Sequence, residues 1–258
     1  MTTQSFPVRD SLTMLRRHFV HARRYPGLSL ITVVTPVIIL LLFVGIFGSA
    51  LGKGIGGTDY VNYVGPAIFI MAVTSGSVAT AVSVAMDMTE GIINRFRTMA
   101  IARSAVLTGQ VVASVIQTVV SVALVVGVAL LMGFQPRAGV VDWLAAAGLV
   151  IVLALALTWL STGIGLTART PESASNTPLP FLFLPMLGSG FVPTDSLPGA
   201  VRWFAEYQPF TPINETLRGL LMGTPIGNNG LIALAWCVGI GLVGFFWSRR
   251  AFRRVAVN

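Results

Sequence analysis

Five stretches of this chain contain no charged residue and are almost wholly apolar: Leu28–Leu51, Val64–Met86, Val106–Met132, Leu144–Leu166 and Leu231–Trp247. About twenty apolar residues in a row cross the hydrocarbon core of a bilayer as a helix. In lipid, every backbone N–H and C=O must find a partner within the protein, so such stretches are helices unless strands close into a barrel. None alternates in the manner of a barrel strand. A water-soluble fold is excluded by the same residues. Of 258 residues, 54% are hydrophobic and only 10% charged, with a mean hydropathy of +0.81. That leaves too little polar surface to keep a globule in solution.

The placement of the basic residues orients the path. In a soluble protein a net charge of +8 would point to nucleic acid; here the positive-inside bias accounts for it, and no nucleic-acid partner is expected. Arg9, Arg16, Arg17, Arg23 and Arg24 precede the first apolar run, and Arg249, Arg250, Arg253 and Arg254 follow the last. Both termini are therefore expected in the cytoplasm. Two ends on one side require an even number of crossings, and five runs are odd. The sixth must be Ser173–Val192, a stretch broken by Pro178, Pro180 and Pro185. With that path, thirteen of the 17 basic residues fall on the cytoplasmic side, and only Lys53, Arg137, Arg202 and Arg218 lie outside.

The expected architecture is an all-α membrane protein with six transmembrane helices. Residues 1–27 precede a permease-like domain, 28–250, with spans at 28–51, 64–86, 106–132, 141–168, 173–192 and 230–248; residues 251–258 form a cytoplasmic tail. Within the first segment Val8, Leu12, Leu15, Phe19 and Ala22 fall inside about 80° of helical arc, with the arginines on the flank and opposite side. This reads as an amphipathic helix lying in the headgroup layer rather than a cleaved signal, with Arg16 and Arg17 reaching lipid phosphates. The one cysteine, Cys237, permits no internal disulfide. A single lysine among sixteen arginines, with abundant Ala, Gly and Val, points to a GC-rich bacterial genome.

No catalytic or metal motif is found. Gly48–Gly54 has the wrong spacing for a phosphate loop, and His18 and His21 have no ligating companions. The spans carry hydroxyls and amides such as Thr74, Ser77, Thr80, Gln110 and Ser121, which are more often helix–helix contacts than ligands. Their middles hold no ionisable side chain, which leaves no proton path. Two connections are rich enough to carry function. Asp87–Arg103 combines an apolar edge (Ile92, Ile93, Phe96, Met99) with Arg95, Arg97 and Arg103. From the residues alone it is either a docking helix for a cytoplasmic partner or an ordinary interfacial loop. Pro193–Gly230 is long and holds two amphipathic sets, Leu197, Val201, Trp203 and Phe204, then Ile213, Leu217, Leu220 and Leu221. Glu215 and Arg218 are spaced to pair on a helix. Two short helices dipping into the outer leaflet fit this pattern, either as a lid or as rim packing.

These two segments carry a resemblance. The run Asp87, Glu90, Gly91, Arg95, Phe96, Arg97, Arg103 and the run Phe191, Pro193, Leu197, Pro198, Gln208, Pro209, Leu217, Arg218 stand where similar runs stand in the permease subunits of type-2 ABC exporters. The chain most resembles the daunorubicin-resistance permease branch, over nearly its whole length. Ala100 replaces a common proline and Gln208 a usual asparagine.

The resemblance implies a non-catalytic subunit in the bacterial cell membrane. It implies a dimer of permeases, homomeric or with a close relative, and two copies of a separate ABC-type ATPase that bind ATP and Mg. It further implies that Glu90, Gly91, Arg95, Phe96, Arg97 and Arg103 form the coupling helix. The amphipathic helix (Val8, Leu12, Leu15, Arg16, Arg17, Phe19) would add a second contact to the ATPase. Phe191, Pro193, Leu197, Pro198, Pro209 and Arg218 would form an outer re-entrant region. The expected activity is export of a hydrophobic or amphipathic solute. The competing expectation is a membrane scaffold or assembly protein without transport.

Overall fold

The computed structural model of the chain describes residues 26–46, 48, 60–89, 103–192, 194 and 198–255. The expected interfacial helix (Val8 to Phe19) and most of the expected coupling segment (Glu90, Gly91, Arg95, Phe96, Arg97) lie outside these residues. Every regular element among the described residues is helical. In chain order they are α1 Pro26–Gly45, α2 Tyr60–Thr89, α3 Arg103–Leu131, α4 Val140–Thr167, α5 Pro171–Asn176, α6 Leu179–Phe183, α7 Gly199–Tyr207, α8 Phe210–Met222 and α9 Asn229–Val255. Four of these, α2, α3, α4 and α9, are long and apolar enough to span a membrane, and α1 adds the shorter apolar stretch Thr32–Gly45. The chain is a multi-pass membrane protein.

The apolar runs set these elements, and the ends differ from expectation for local reasons. α2 starts at Tyr60 and reaches Thr89, several residues beyond 64–86 at each end, since nothing in its polar margins breaks a helix. α1 ends at Gly45, short of residue 51, where Gly45 and Gly48 weaken the helix. α9 passes residue 248 and runs through Arg249, Arg250, Arg253 and Arg254 to Val255. Residues 251–255, expected as tail, are thus helical, with Arg253 and Arg254 in the last turn beside the negative end of the helix dipole.

α2 is the central helix, buried along most of its length between α1, α3, α4 and α5. It runs antiparallel to α3. Phe69 meets Phe134 edge-on at 5.6 Å near one end, and Gln110 Nε2 donates to Ser83 Oγ at 3.4 Å near the other. α4 runs parallel to α2, with Gly165 so close that a Cβ there would lie 2.6 Å from the Ala81 carbonyl oxygen. α9 runs parallel to α4, and a Cβ on Gly244 would lie 2.5 Å from the Leu160 nitrogen. Lipid is as apolar as leucine, so such close van der Waals approach between small residues holds spans together. α9 turns Ala233, Cys237, Gly244, Ser248 and Ala251 inward and leaves Leu231, Val238, Val243 and Phe246 exposed.

Several hydroxyls within the spans bond back to their own helix, as Thr74 does to the Met71 carbonyl and Thr80 to that of Gly76. Thr32 and Ser121 instead meet across α1 and α3 at 3.4 Å.

The stretch 171–191 is not one helix. Thr170 caps α5 by accepting from the Ser173 N–H, α6 lasts five residues, and 184–191 proceeds in turns. Pro178, Pro180 and Pro185 remove the amide hydrogens a continuous helix needs. The stretch nonetheless follows α2 lengthwise. Ala174 shares a buried cluster with Ala81, Ala85 and Ile164, while the Phe191 carbonyl accepts from the Tyr60 hydroxyl. From Ala81 or Ala85 to Tyr60 is about 32–38 Å along a helix at 1.5 Å per residue. Two ends of the molecule follow: a Thr89 end, with the start of α3 and the close of α4 and α9, and a Tyr60 end, with α7 and α8.

Candidate functional site

Of the expected coupling residues only Arg103 is described, as the first residue of α3. What the structure defines is the frame around the segment that joins α2 to α3. Val84, Leu107, Leu166 and Ala251 form one buried cluster, so α2, α3, α4 and α9 converge there. The Gln110–Ser83 bond lies one turn further in.

The Tyr60 end holds a knot of polar contacts around the broken stretch. Backbone that leaves a helix at membrane depth must have its carbonyls satisfied by other groups. Here three carbonyls accept from side chains. The Leu184 oxygen accepts from Gln208 Nε2 at 2.9 Å. The Ser189 oxygen accepts from the Tyr63 hydroxyl at 3.0 Å and from Arg218 Nη2 at 2.7 Å. The Phe191 oxygen accepts from the Tyr60 hydroxyl at 3.2 Å. The donors come from α2, from α8 and from the link between α7 and α8.

Arg218 is the hub. Its Nε and Nη2 also donate to the Tyr63 carbonyl at 3.3 and 3.2 Å, and Nη1 donates to Glu215 Oε1 at 2.7 Å. The guanidinium lies over the Tyr63 ring. Its side chain is only 12% exposed, against 33% for Glu215, so the charge is largely withdrawn from water and satisfied by fixed partners. A planar five-donor fork suits this arrangement, reaching three acceptors at once.

Two glycines let the chain pass. A Cβ on Gly188 would lie 2.3 Å from Gln208 Nε2, and one on Gly190 2.6 Å from the Pro185 oxygen and 2.7 Å from Ala67 Cβ. Gln208 also donates to Thr211 Oγ1, whose hydroxyl donates to the Ala205 carbonyl. Asn214 Nδ2 donates to Ser189 Oγ at 3.3 Å.

The expected outer residues are partly united here. Arg218 occupies the centre, and its predicted pairing with Glu215 is present. Phe191 is buried and packs on Phe43 with ring centres 4.5 Å apart. Pro198 and Pro209 stand at the starts of α7 and α8, where a missing N–H costs nothing. Pro193 and Leu197 lie outside the described residues. α8 buries Ile213, Leu217 and Leu221 as its pattern predicts, whereas α7 leaves Val201, Trp203 and Phe204 exposed. Tyr60, Tyr63, Ser189 and Asn214 were not anticipated. A tyrosine at the edge of an apolar run signals an interface, but its acceptors lie 131 and 126 residues away.

Among the described residues no group of three or more His, Cys, Asp or Glu gathers. The knot's polar groups chiefly hold backbone, and the arrangement fixes the broken stretch 184–191 against α2 and α8. Comparison with known proteins identifies the family. The chain is 29% identical over 240 residues, 93% of its length and 83% of the relative's, to the daunorubicin resistance ABC transporter permease protein DrrB1 of Streptomyces coeruleorubidus. It is 24% identical over 216 residues, 83% of its length and 78% of the relative's, to the probable doxorubicin resistance ABC transporter permease protein DrrC of Mycobacterium tuberculosis. The ABC-2 type transporter family matches residues 10–222, from before α1 through the last residue of α8, and the chain belongs to that family.

Proposed function

We propose that this chain is the membrane-spanning permease subunit of an ATP-driven exporter, moving a hydrophobic or amphipathic solute, drug or lipid-like, out of a bacterial cell. The observation that carries this reading is the family match over residues 10–222, which takes in both the basic segment between α2 and α3 and the knot at the Tyr60 end. The drugs in its relatives' names support the solute class. Two permeases and two copies of a separate ATPase make up the transporter, and the ATPase binds ATP and Mg.

In this reading the Thr89 end faces the cytoplasm and the Tyr60 end faces out. Six crossings place both termini inside. The course of 171–191 beside α2, from the level of Ala85 to that of Tyr60, supports the sixth. Asp87, Glu90, Gly91, Arg95, Phe96, Arg97 and Arg103 meet the ATPase. Gly91 permits a tight turn, Phe96 fills an apolar pocket, and the arginines pair with acidic residues. The amphipathic helix bearing Arg16 and Arg17 lies at the inner surface and adds a second contact. Because α2, α3, α4 and α9 share one cluster at this end, force applied between α2 and α3 is delivered to four spans.

The test is the double variant Phe96→Ala/Arg97→Ala, assayed in the permease–ATPase complex. Substrate-stimulated ATP hydrolysis should be lost while membrane insertion persists. Full stimulation in that variant sinks the coupling assignment.

A further inference from the structure

A cavity of about 240 Å³ lies between α2, α3 and α4 in their halves nearest the Tyr60 end, roofed by α8. Phe69, Val122, Val150, Leu217 and Leu221 line it, with Trp143 at the side. Every lining residue is apolar, and only the Trp143 indole carries a side-chain hydrogen-bonding group. An apolar cavity of about 150 Å³ already stays dry and accepts a benzene ring, so this one has room for a larger hydrocarbon. It is half open. Of its lining, Ala123, Ala147 and Ile151 are exposed, and they continue into the bare face of Val120, Leu124, Leu144 and Leu155 on α3 and α4. Those faces belong to spans, so the mouth opens sideways into the bilayer rather than into water.

We propose that this cavity holds an acyl chain of a membrane phospholipid, entering from the leaflet at the Tyr60 end between α3 and α4. Three features select that occupant. The lining offers nothing to a charged or hydrogen-bonding ligand. The mouth is continuous with the lipid-facing surface. Trp143 stands near the start of α4, at the depth where indoles favour the headgroup boundary, so a chain beside it points toward the membrane middle. The roof is α8, which Arg218, braced by Glu215, fastens to Tyr63 and Ser189, so the occupied volume borders the knot. Naming the leaflet as the outer one rests on the orientation given under Proposed function; the occupancy does not.

The experiment uses the full chain with its ATPase, reconstituted in phosphatidylethanolamine–phosphatidylglycerol vesicles containing phosphatidylglycerol with a mid-chain diazirine. After irradiation, labelled positions are mapped by mass spectrometry. The expected result is label on Val122, Ala146 and Val150, buried positions that annular lipid does not reach. Ala147→Phe, an exposed change at the mouth, should abolish that label while leaving Leu155 and Val243 labelled as before. Ala146→Leu, which fills the interior, should do the same; if it fails to fold, Ala147→Phe decides alone. Label confined to Leu155, Val243 and similar outward positions overturns the proposal, as does lining label unaffected by Ala147→Phe. A disulfide between two copies of Ala147→Cys in a Cys237→Ala background, without lining label, assigns the mouth to a second copy and also overturns it. ATP hydrolysis measured on the same vesicles reports separately on the exporter reading.

Discussion

The guanidinium carbon of Arg218 sits 3.9 Å from the centre of the Tyr63 ring, while the same side chain donates to the carbonyl of Tyr63 itself. Ring and backbone of one residue on α2 are thus both held by one residue on α8. With the Ser189 carbonyl as a further acceptor, α2, α8 and the broken stretch are fixed together at a single charge.

Arg218→Ala should therefore loosen the whole Tyr60 end. It leaves the Tyr63 carbonyl without that donor and the Ser189 carbonyl with only the Tyr63 hydroxyl. Hydrogen bonds to a charged group contribute about 1.5–3 kcal/mol, so the loss should be of that order. Arg218→Lys supplies a point charge instead of a fork and should recover only part. Thermal unfolding of the purified protein measures both, and an unchanged midpoint in Arg218→Ala would show that the knot contributes nothing to stability.

Gly244 and Gly239 offer a matched pair on α9. A Cβ on Gly244 would press on the nitrogen and Cα of Leu160 at 2.5 and 2.8 Å, whereas one on Gly239 would meet nothing within 4 Å. Gly244→Ala should lower stability by about 1–3 kcal/mol through overpacking. Gly239→Ala should be neutral or slightly favourable, since alanine is the better helix former. Equal effects from the two in a thermal melt would contradict the packing of α9 on α4.

At Gly190 the obstacles to a side chain are the Pro185 carbonyl and Ala67 Cβ. Gly190→Ala should lower the melting midpoint, and Ala67→Gly, which removes one obstacle, should restore part of it. A double-mutant cycle reads this coupling, since residues in contact depart from additivity by about 0.5–3 kcal/mol. Strict additivity would mean that the turn at 184–191 does not lie against α2.

The sixth crossing is checked by cysteine accessibility in a Cys237→Ala background. Glu172→Cys, in the first turn of α5, should react with a membrane-impermeant maleimide only after the cells are opened. Gly199→Cys, at the start of α7, should react on intact cells. Labelling of both from one side would remove the crossing between them.

The long helices α2, α3, α4 and α9 were legible because their apolar runs are bounded by polar or charged residues or by glycine. The expected 106–132 and 141–168 lie within three residues of α3 and α4 at every end. The Glu215–Arg218 pair was legible because helical spacing fixes it locally. The remaining partners of Arg218 were not, since Tyr63 and Ser189 lie 155 and 29 residues away, and no periodicity relates them. The prolines of 178–185 announced a broken helix, but not which donors satisfy the freed carbonyls. Gln208 and the two tyrosines do so only once α2 and α8 are brought alongside. For α7 the amphipathic pattern was sound, but it does not say what covers the apolar face. Val201, Trp203 and Phe204 face away from the rest of the chain.

The stretch from Pro171 to Phe191 lacks an unbroken ladder of its own, and near Phe191 its carbonyls are gripped by tyrosine, arginine and glutamine from elsewhere in the chain. Such a segment transmits pull more readily than it resists bending. Displace Ala174 along the axis of α2, and the tug arrives at Tyr60, Tyr63 and the roof helix together, at the far end of that helix.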